Sequence, residues 1–589
     1  MVALCLFVSG VTFGQPKVPA NVVITKADLA KVGDAIPASA IGEPVGSVKL
    51  YEPRWVEASG EMPAYGVVEG SIMPVDPKGW PINFRVLLPS SWSLRSLQRG
   101  GGGMNGSITV NAGRDGMLAK GFVLYGSDSG HQAGGMGGGM MGGFGGMGGG
   151  APAQAGPTLP TGPSGGDDWA LNDEAIKNMG YMQMKKTHDA AVVIMERLYG
   201  KRPQYNYYVG TSHGGREALT VAQRYPKDYN GIIANVPILN FSTLMLAPEL
   251  IRIQEKPLAA WVTPAKVNAV KAEFMRQCDK LDGLADGVIN NYVASRDIFN
   301  VNDGKGPKDP WAALRAPNNV DPDPNDNSEK AKLTNEQIKS MEMMFSNYKF
   351  ATPLANGVKS FGMWLPTTSP DGMGLMERSR YKGQEGAPEN ARVHSHMGIV
   401  GVTGFLFKDL KANPLDYVEG GKLNARREEL SKWLDTTDPN LKEFYKNGGK
   451  MIVTIGAMDN IACPGAQLDY FAAVLEMMGR KKVDAFARLF VVPTGGHGLS
   501  GQGAKVNGEG QTVTPLSQSG PNGDDNLQLL MNWVEKGQAP AMNLVISKQG
   551  GRISADANVE GYLMCSYPNY AKYVSGPANM ASSYISADK

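Results

Sequence analysis

The chain has 589 residues, and its 58 lysines and arginines against 56 aspartates and glutamates leave a net charge of +2, which excludes the strongly basic surface of a nucleic-acid binder. Apolar residues make up 42% of it, enough for a sizeable core. Four cysteines exclude a disulfide scaffold and offer no CxxC zinc pair, and without a run of 18 apolar residues no membrane-spanning helix is expected.

Residues 1–13 are largely apolar, and Thr12-Phe13-Gly14 has the small-x-small pattern of a cleavage site. We therefore expect a signal peptide over 1–15 and a secreted or periplasmic mature chain. No lysine or arginine precedes the run, and a buried N-terminal strand is the competing reading. Loss of Cys5 leaves three cysteines, an odd number. Next, 82–88 (INFRVLL) reads as a strand closed by Pro89, and a polar stretch leads to Gly100-Gly101-Gly102-Gly103. A second strand, 121–125, runs into Asp128-Ser129-Gly130-His131. Residues 134–166 are Gly/Met/Pro-rich and aperiodic, a surface loop. Its Met136, Met140, Met141 and Met147 are soft-metal donors that nothing holds in a shared geometry.

Ala191, Ile194, Met195 and Leu198 mark the buried face of a helix ended by Gly200. A strand at 205–209, a helix at 217–224 and a strand at 231–236 follow. Strands and helices in alternation predict a parallel sheet with crossover helices. From 240 to 448 charged helical stretches and Pro/Asn/Asp-rich loops predict an insertion with its own small core. Strands return at 451–455 and 488–493, with a helix over 464–478 between them and a last helix over 526–535. This divides the chain into an α/β core of two parts, 16–239 and 449–589, around the insertion.

The chemistry centres on Gly210-Thr211-Ser212-His213-Gly214, a GxSxG between a strand and a helix. There the serine hydroxyl stands clear of the sheet at the positive end of the helix. It needs an imidazole to take its proton and a carboxylate to hold that imidazole's tautomer. In such folds these follow in the order Ser, Asp, His. Asp459 and His497 each lie four residues past a predicted strand, where open α/β sheets place their ligands. Asp469 and Asp484 are weaker rivals, in helical or pre-strand positions. Of the other histidines, His188 reads as a helix packing or surface residue and His213 as directed away from the hydroxyl. His131 is a candidate for the pocket rim, and His394 and His396 fall in the insertion. For the oxyanion the backbone N–H of His213 is one candidate donor. Gly102 and Gly103, in the glycine loop taken to follow strand 82–88, are the others.

Several ordered segments resemble the tannase/feruloyl esterase family of secreted α/β-hydrolase-fold esterases: GGGGMNGSI (100–108), GSDSGH (126–131), YVGTSHGGREALTVAQRYPKDYNGIIANVP (208–237), IGAMDNIACPGAQLDYF (455–471) and RLFVVPTGGHGL (488–499). The resemblance spans about 81–573. It implies an α/β-hydrolase fold, a triad of Ser212, Asp459 and His497, and a lid over the pocket corresponding to 240–448. It also implies a structural calcium ion on a loop similar to 279–288, with side-chain oxygens from Asp279, Asp282 and Asp286 and carbonyls from Leu284 and Val288. A hard cation wants six to eight oxygens, which carboxylates on a Gly-bent loop supply. No organic cofactor is implied. The family typically pairs a Cys before the serine with one after the histidine; here Thr211 and Gly498 stand there, so a hydrogen bond or packing must fix the two loops. Pairing among Cys278, Cys463 and Cys565 stays open.

The expected function is a secreted serine esterase acting on small esters of aromatic acids (hydroxybenzoic, gallic or hydroxycinnamic) through an acyl-enzyme. An inactive binding protein on a hydrolase scaffold and a peptidase or amidase on the same fold are the alternatives.

Overall fold

Short apolar runs alternate with amphipathic helices, and the chain resolves this pattern by winding a sheet through its centre. The computed structural model describes residues 21–112, 116–132, 157–368, 379–394 and 398–588. The expected signal segment 1–15, the methionines of the Gly/Met loop and His396 lie outside these residues. The central sheet contains, in chain order, β1 (Ala35–Ile36), β2 (Ser47–Leu50), β3 (Arg54–Val56), β4 (Tyr65–Met73), β5 (Ile82–Pro89), β6 (Arg95–Arg99), β7 (Phe122–Ser127), β8 (Tyr205–Thr211), β9 (Gly231–Asn235), β10 (Lys450–Gly456) and β11 (Ala487–Val492). The main helices are α1 (Gln183–Tyr199), α2 (His213–Arg224), α3 (Phe241–Gln254), α4 (Val267–Cys278), α5 (Asn424–Leu434), α6 (Pro464–Met478) and α7 (Gly523–Lys536).

The sheet order is β11-β10-β9-β8-β6-β7-β5-β4-β2-β1, with β3 also on β4. From β11 to β7 the pairs are parallel; beyond β7 they are antiparallel. The parallel part is buried on both faces, as its near-continuous apolar strands require. Ile232, Met451, Val453 and Leu489 pack with Leu219 of α2 and Leu468 of α6. Their strand neighbours Ile233, Ile452 and Phe490 pack on the other face with Leu530 and Trp533 of α7. This α/β-hydrolase architecture is the expected one.

Two readings need correction. The glycine loop follows β6, not the strand at 82–88: RSLQR is a polar sequence, yet it pairs in parallel with both β8 and β7. Its polar side chains are matched inside the protein. Ser96 bonds Asn206, and Gln98 bonds Tyr229 and the Met184 carbonyl, so the apolar pattern that marks a buried strand is missing. The region after β9 also lacks a separate core. Phe241, Leu244, Phe274, Trp311, Phe345 and Leu430 join one cluster with Trp169, Ile176, Val236 and Ala462. The ends of β9 and β10 therefore floor the helices that follow. No helix among the described residues is long and apolar enough to cross a membrane.

Candidate active site

β8 ends at Thr211 and α2 begins at His213, leaving Ser212 alone in the bend with φ 62° and ψ −119°. A positive φ is strained for a residue with a side chain, and the surroundings hold it there. The Ser212 N–H donates to the Asn235 carbonyl at 2.9 Å. Tight contact explains both flanking glycines: a Cβ on Gly210 would collide with the Gly214 carbonyl, and one on Gly214 would stand 2.6 Å from the Gly101 oxygen.

Asp459 lies in the loop after β10 and His497 in the loop after β11. His497 Nε2 is 2.8 Å from Ser212 Oγ, and its Nδ1 is 2.9 and 3.1 Å from the two Asp459 oxygens. Asp459 is fully buried, and its Oδ1 also accepts the N–H groups of Ile461 and Ala462 at 2.8 and 3.0 Å. A carboxylate ringed by donors places the imidazole proton on Nδ1 and leaves Nε2 free to accept from the serine hydroxyl. The rivals are engaged elsewhere: Asp469 pairs with Arg296 and Asp484 with Arg480.

Thr211 and Gly498 form no bridge, and Cys278, Cys463 and Cys565 are all buried free thiols. The histidine loop is instead fastened to the acid loop. The Met458 N–H donates to the Gly495 carbonyl at 2.9 Å, and Thr494 N–H to Gln518 Oε1 at 3.1 Å. The Gly-rich loop is fastened to the serine turn: the Gly214 N–H donates to the Gly101 carbonyl at 2.7 Å, and the Gly100 N–H to Val209 at 3.0 Å. The Gly101 N–H donates to Glu217 at 2.9 Å. The amides of Gly102, Gly103 and His213 are not spent in these contacts. Met104, Ile461 and Leu499 are half-buried against the apolar cluster beside this centre.

The histidines divide clearly. His131 is buried rather than at a rim, because its ring stacks 3.6 Å from Trp169; burial holds it down to about 3. His188 is buried, accepts or donates to Tyr125 at 2.8 Å, and is held down to about 4 by burial. His213 turns into the interior between Arg216 and Glu217, and His394 meets the Ala412 carbonyl at 3.0 Å. Arg216 and Glu217, which the sequence reading did not single out, are both wholly buried. Arg216 donates to the carbonyls of Met179, Gly180 and Leu434. Two adjacent opposite charges, one residue beyond the motif, were the available signal.

On the 279–288 loop, Asp279, Asp282 and Asp286 are all buried. Among the described residues no lysine, arginine or histidine forms an ion pair with any of them. Burial raises all three, Asp282 to about 7 and Asp286 to about 6. The Leu284 and Val288 carbonyls carry no hydrogen bond among the described residues. Buried carboxylates without a basic partner, together with free carbonyls, fit a hard cation in kind. Each carboxylate meanwhile accepts loop N–H groups, and their oxygens do not all approach within 4.8 Å of one another. The trio that does, among the described residues, is His188, Asp189 and Asp228. There Lys185 stands where an ion would, 2.7 and 3.0 Å from the two carboxylates.

A model of the family described as "Tannase and feruloyl esterase" matches residues 66–587. An uncharacterised esterase of Agrobacterium fabrum is 31% identical over 581 residues, covering 95% of this chain and 92% of that one. The mono(2-hydroxyethyl) terephthalate hydrolase of Piscinibacter sakaiensis is 25% identical over 586 residues, covering 90% and 86%. The crystal structure of feruloyl esterase B from Aspergillus oryzae shares the fold with a TM-score of 0.65 at 20% identity, over 92% of this chain and 98% of that one. The chain belongs to the tannase and feruloyl esterase family of carboxylic ester hydrolases.

Proposed function

We propose that the chain is a serine esterase for esters of aromatic acids, of the hydroxybenzoic, gallic or hydroxycinnamic type. The observation that carries the mechanism is the unbroken contact from Ser212 through His497 to Asp459. Ser212 Oγ attacks the ester carbonyl while its proton passes to His497 Nε2, and Asp459 stabilises the imidazolium through Nδ1–H. The amides of His213, Gly102 and Gly103 receive the developing oxyanion, since those of Gly101 and Gly214 are already committed. His497 then protonates the departing alcohol oxygen. A water deprotonated by the same nitrogen releases the acid and restores Ser212.

The aromatic substrate class is supported by the relatives, which include a mono(2-hydroxyethyl) terephthalate hydrolase and a feruloyl esterase. We read Asp279, Asp282, Asp286 and the carbonyls of Leu284 and Val288 as holding calcium, which when bound neutralises the buried carboxylates and fixes the loop. Export is supported by the family and by the apolar first residues. The region 240–448 acts in this reading as the lid.

The test is turnover of methyl gallate, methyl ferulate, a terephthalate monoester and a peptide anilide by wild type and Ser212→Ala. We expect the wild type to cleave at least one ester and the variant none. Failure on every ester removes the function, and an active Ser212→Ala variant removes the mechanism.

A further inference from the structure

The Gly-rich loop rests on a buried carboxylate. Glu217 lies one turn into α2 with no exposed surface. Its Oε2 accepts the Gly101 N–H at 2.9 Å and the Tyr208 hydroxyl at 3.0 Å. Its Oε1 accepts Gln183 Nε2 at 2.7 Å and lies 3.5 Å from Ser129 Oγ and 3.4 Å from His213 Nε2. Gln183 continues to Ser127 Oγ at 2.6 Å, and Ser129 bonds Asn105 Nδ2. Asn105 is itself part of the loop, capping it through an N–H to the Gly102 carbonyl at 2.8 Å, and its side chain fills the space beside Gly101. Both ends of Gly101–Asn105 are thus attached to one network, and Glu217 is the member that touches the most of it. Burial pushes the Glu217 carboxyl up, but the adjacent His213 and Arg216 and the Gly101 N–H outweigh it and hold it below its ordinary range.

A buried charge is costly unless it is fully hydrogen-bonded; here the donors surround it. A backbone N–H bound to an ionised acceptor is held more tightly than one bound to a neutral group. With the Gly101 amide fixed on Glu217 and its carbonyl fixed on the Gly214 N–H, both peptide planes around Gly101 are set. The next amides, of Gly102 and Gly103, donate no hydrogen bond among the described residues, and a Cβ on Gly102 would meet nothing within 4 Å, so bare backbone is open to a substrate there.

We propose that Glu217 is a positioning residue for the oxyanion site: it does not touch substrate, and it fixes the Gly101 peptide so that the following amides point at the acyl oxygen beside Ser212. The proposal rests on the esterase reading and deepens it.

The experiment compares wild type, Glu217→Gln and Glu217→Ala in ester turnover, in affinity for phenylboronic acid, which forms a tetrahedral adduct on a nucleophilic serine, and in affinity for the product acid. We expect Glu217→Gln, which keeps the shape and loses the charge, to lower kcat and boronate affinity together by about 3–10-fold. Folded Glu217→Ala should lower both by about 100-fold, the scale of losing one oxyanion donor. KM and product-acid affinity should stay within about 2-fold of wild type in both, since only the transition state uses these amides. The proposal is overturned if Glu217→Gln binds the boronate as tightly as wild type, whatever Glu217→Ala does, or if product affinity falls as far as boronate affinity. Failure of the esterase reading appears separately, as a wild type without ester turnover.

Discussion

Asp459 and His497 stand at the ends of two adjacent parallel strands, and the backbone between their loops is joined as closely as their side chains: Met458 N–H to Gly495 O at 2.9 Å, His497 Nδ1 to Asp459 Oδ2 at 2.9 Å. Carboxylate and imidazole are therefore tied into one piece, and the serine turn is the other. In Asp459→Asn the N–H groups of Ile461 and Ala462 would claim the amide oxygen, leaving the NH2 toward the imidazole and forcing the proton onto Nε2. We expect kcat to fall by roughly 10^3–10^4-fold with KM changed little. Steady-state kinetics on the best ester of the panel, with circular dichroism to check folding, tests this; near-normal kcat would remove Asp459 from the mechanism.

Gly214→Ala tests the seam between the serine turn and the Gly-rich loop. Its Cβ would stand 2.6 Å from the Gly101 oxygen and 3.0 Å from the Gly100 carbonyl carbon, both backbone atoms with little room to yield. We expect a stability cost of about 1–3 kcal/mol from the overpacking. Turnover should drop about 100-fold as the loop amides lose their aim. Chemical denaturation and kinetics on the same preparation measure both effects.

Acid should unfold the protein through its interior histidines. His188 is held down to about 4 by burial, whereas an unfolded histidine takes its proton near pH ~6.5. The unfolded chain thus binds the extra proton between those values. The contribution to stability is complete above about pH 6.5 and is lost as pH falls toward 4, with a slope of about 1.4 kcal/mol per pH unit for one proton. His188→Gln, which still offers Tyr125 a partner, should show a smaller drop in Tm between pH 7 and pH 5 than wild type. An equal drop would assign the acid sensitivity to other groups.

Removal of divalent cations should soften the molecule. With calcium at 100 times its Kd, linkage stabilises the folded state by about 2.7 kcal/mol. We expect excess EDTA to lower Tm and added calcium to restore it, with magnesium far less effective because it sheds water reluctantly. Scanning calorimetry and elemental analysis decide the matter: an unmoved Tm together with a metal-free preparation excludes the ion.

Three strands of the parallel half, β9, β10 and β11, were legible because they are apolar on both faces and their turns are marked by glycine: GIIANV, MIVTI and RLFVVP each fall on an observed strand. The residues of the serine contact were legible because their loops sit directly past those strands. What the sequence hid was polar. β6 reads RSLQR and carries no hydrophobic period because Ser96 and Gln98 find partners inside the protein. β4 was missed as well, since its Glu69 is buried against Arg54 and Arg85. Helix α2 starts four residues earlier than its periodicity indicated, because the first turn after Ser212 is built of His213, Gly214, Gly215 and Arg216 rather than of apolar residues. The role of Glu217 could not be read either, as a charged residue on a helix is ordinarily solvated.

The serine and histidine loops keep their spacing without sulfur. Their ties are amide-to-carbonyl contacts and close glycine packing, and the three described thiols are sealed in the interior. Dithiothreitol is accordingly expected to leave turnover unchanged, because no sulfur bridge among the described residues sets the distance between serine and imidazole.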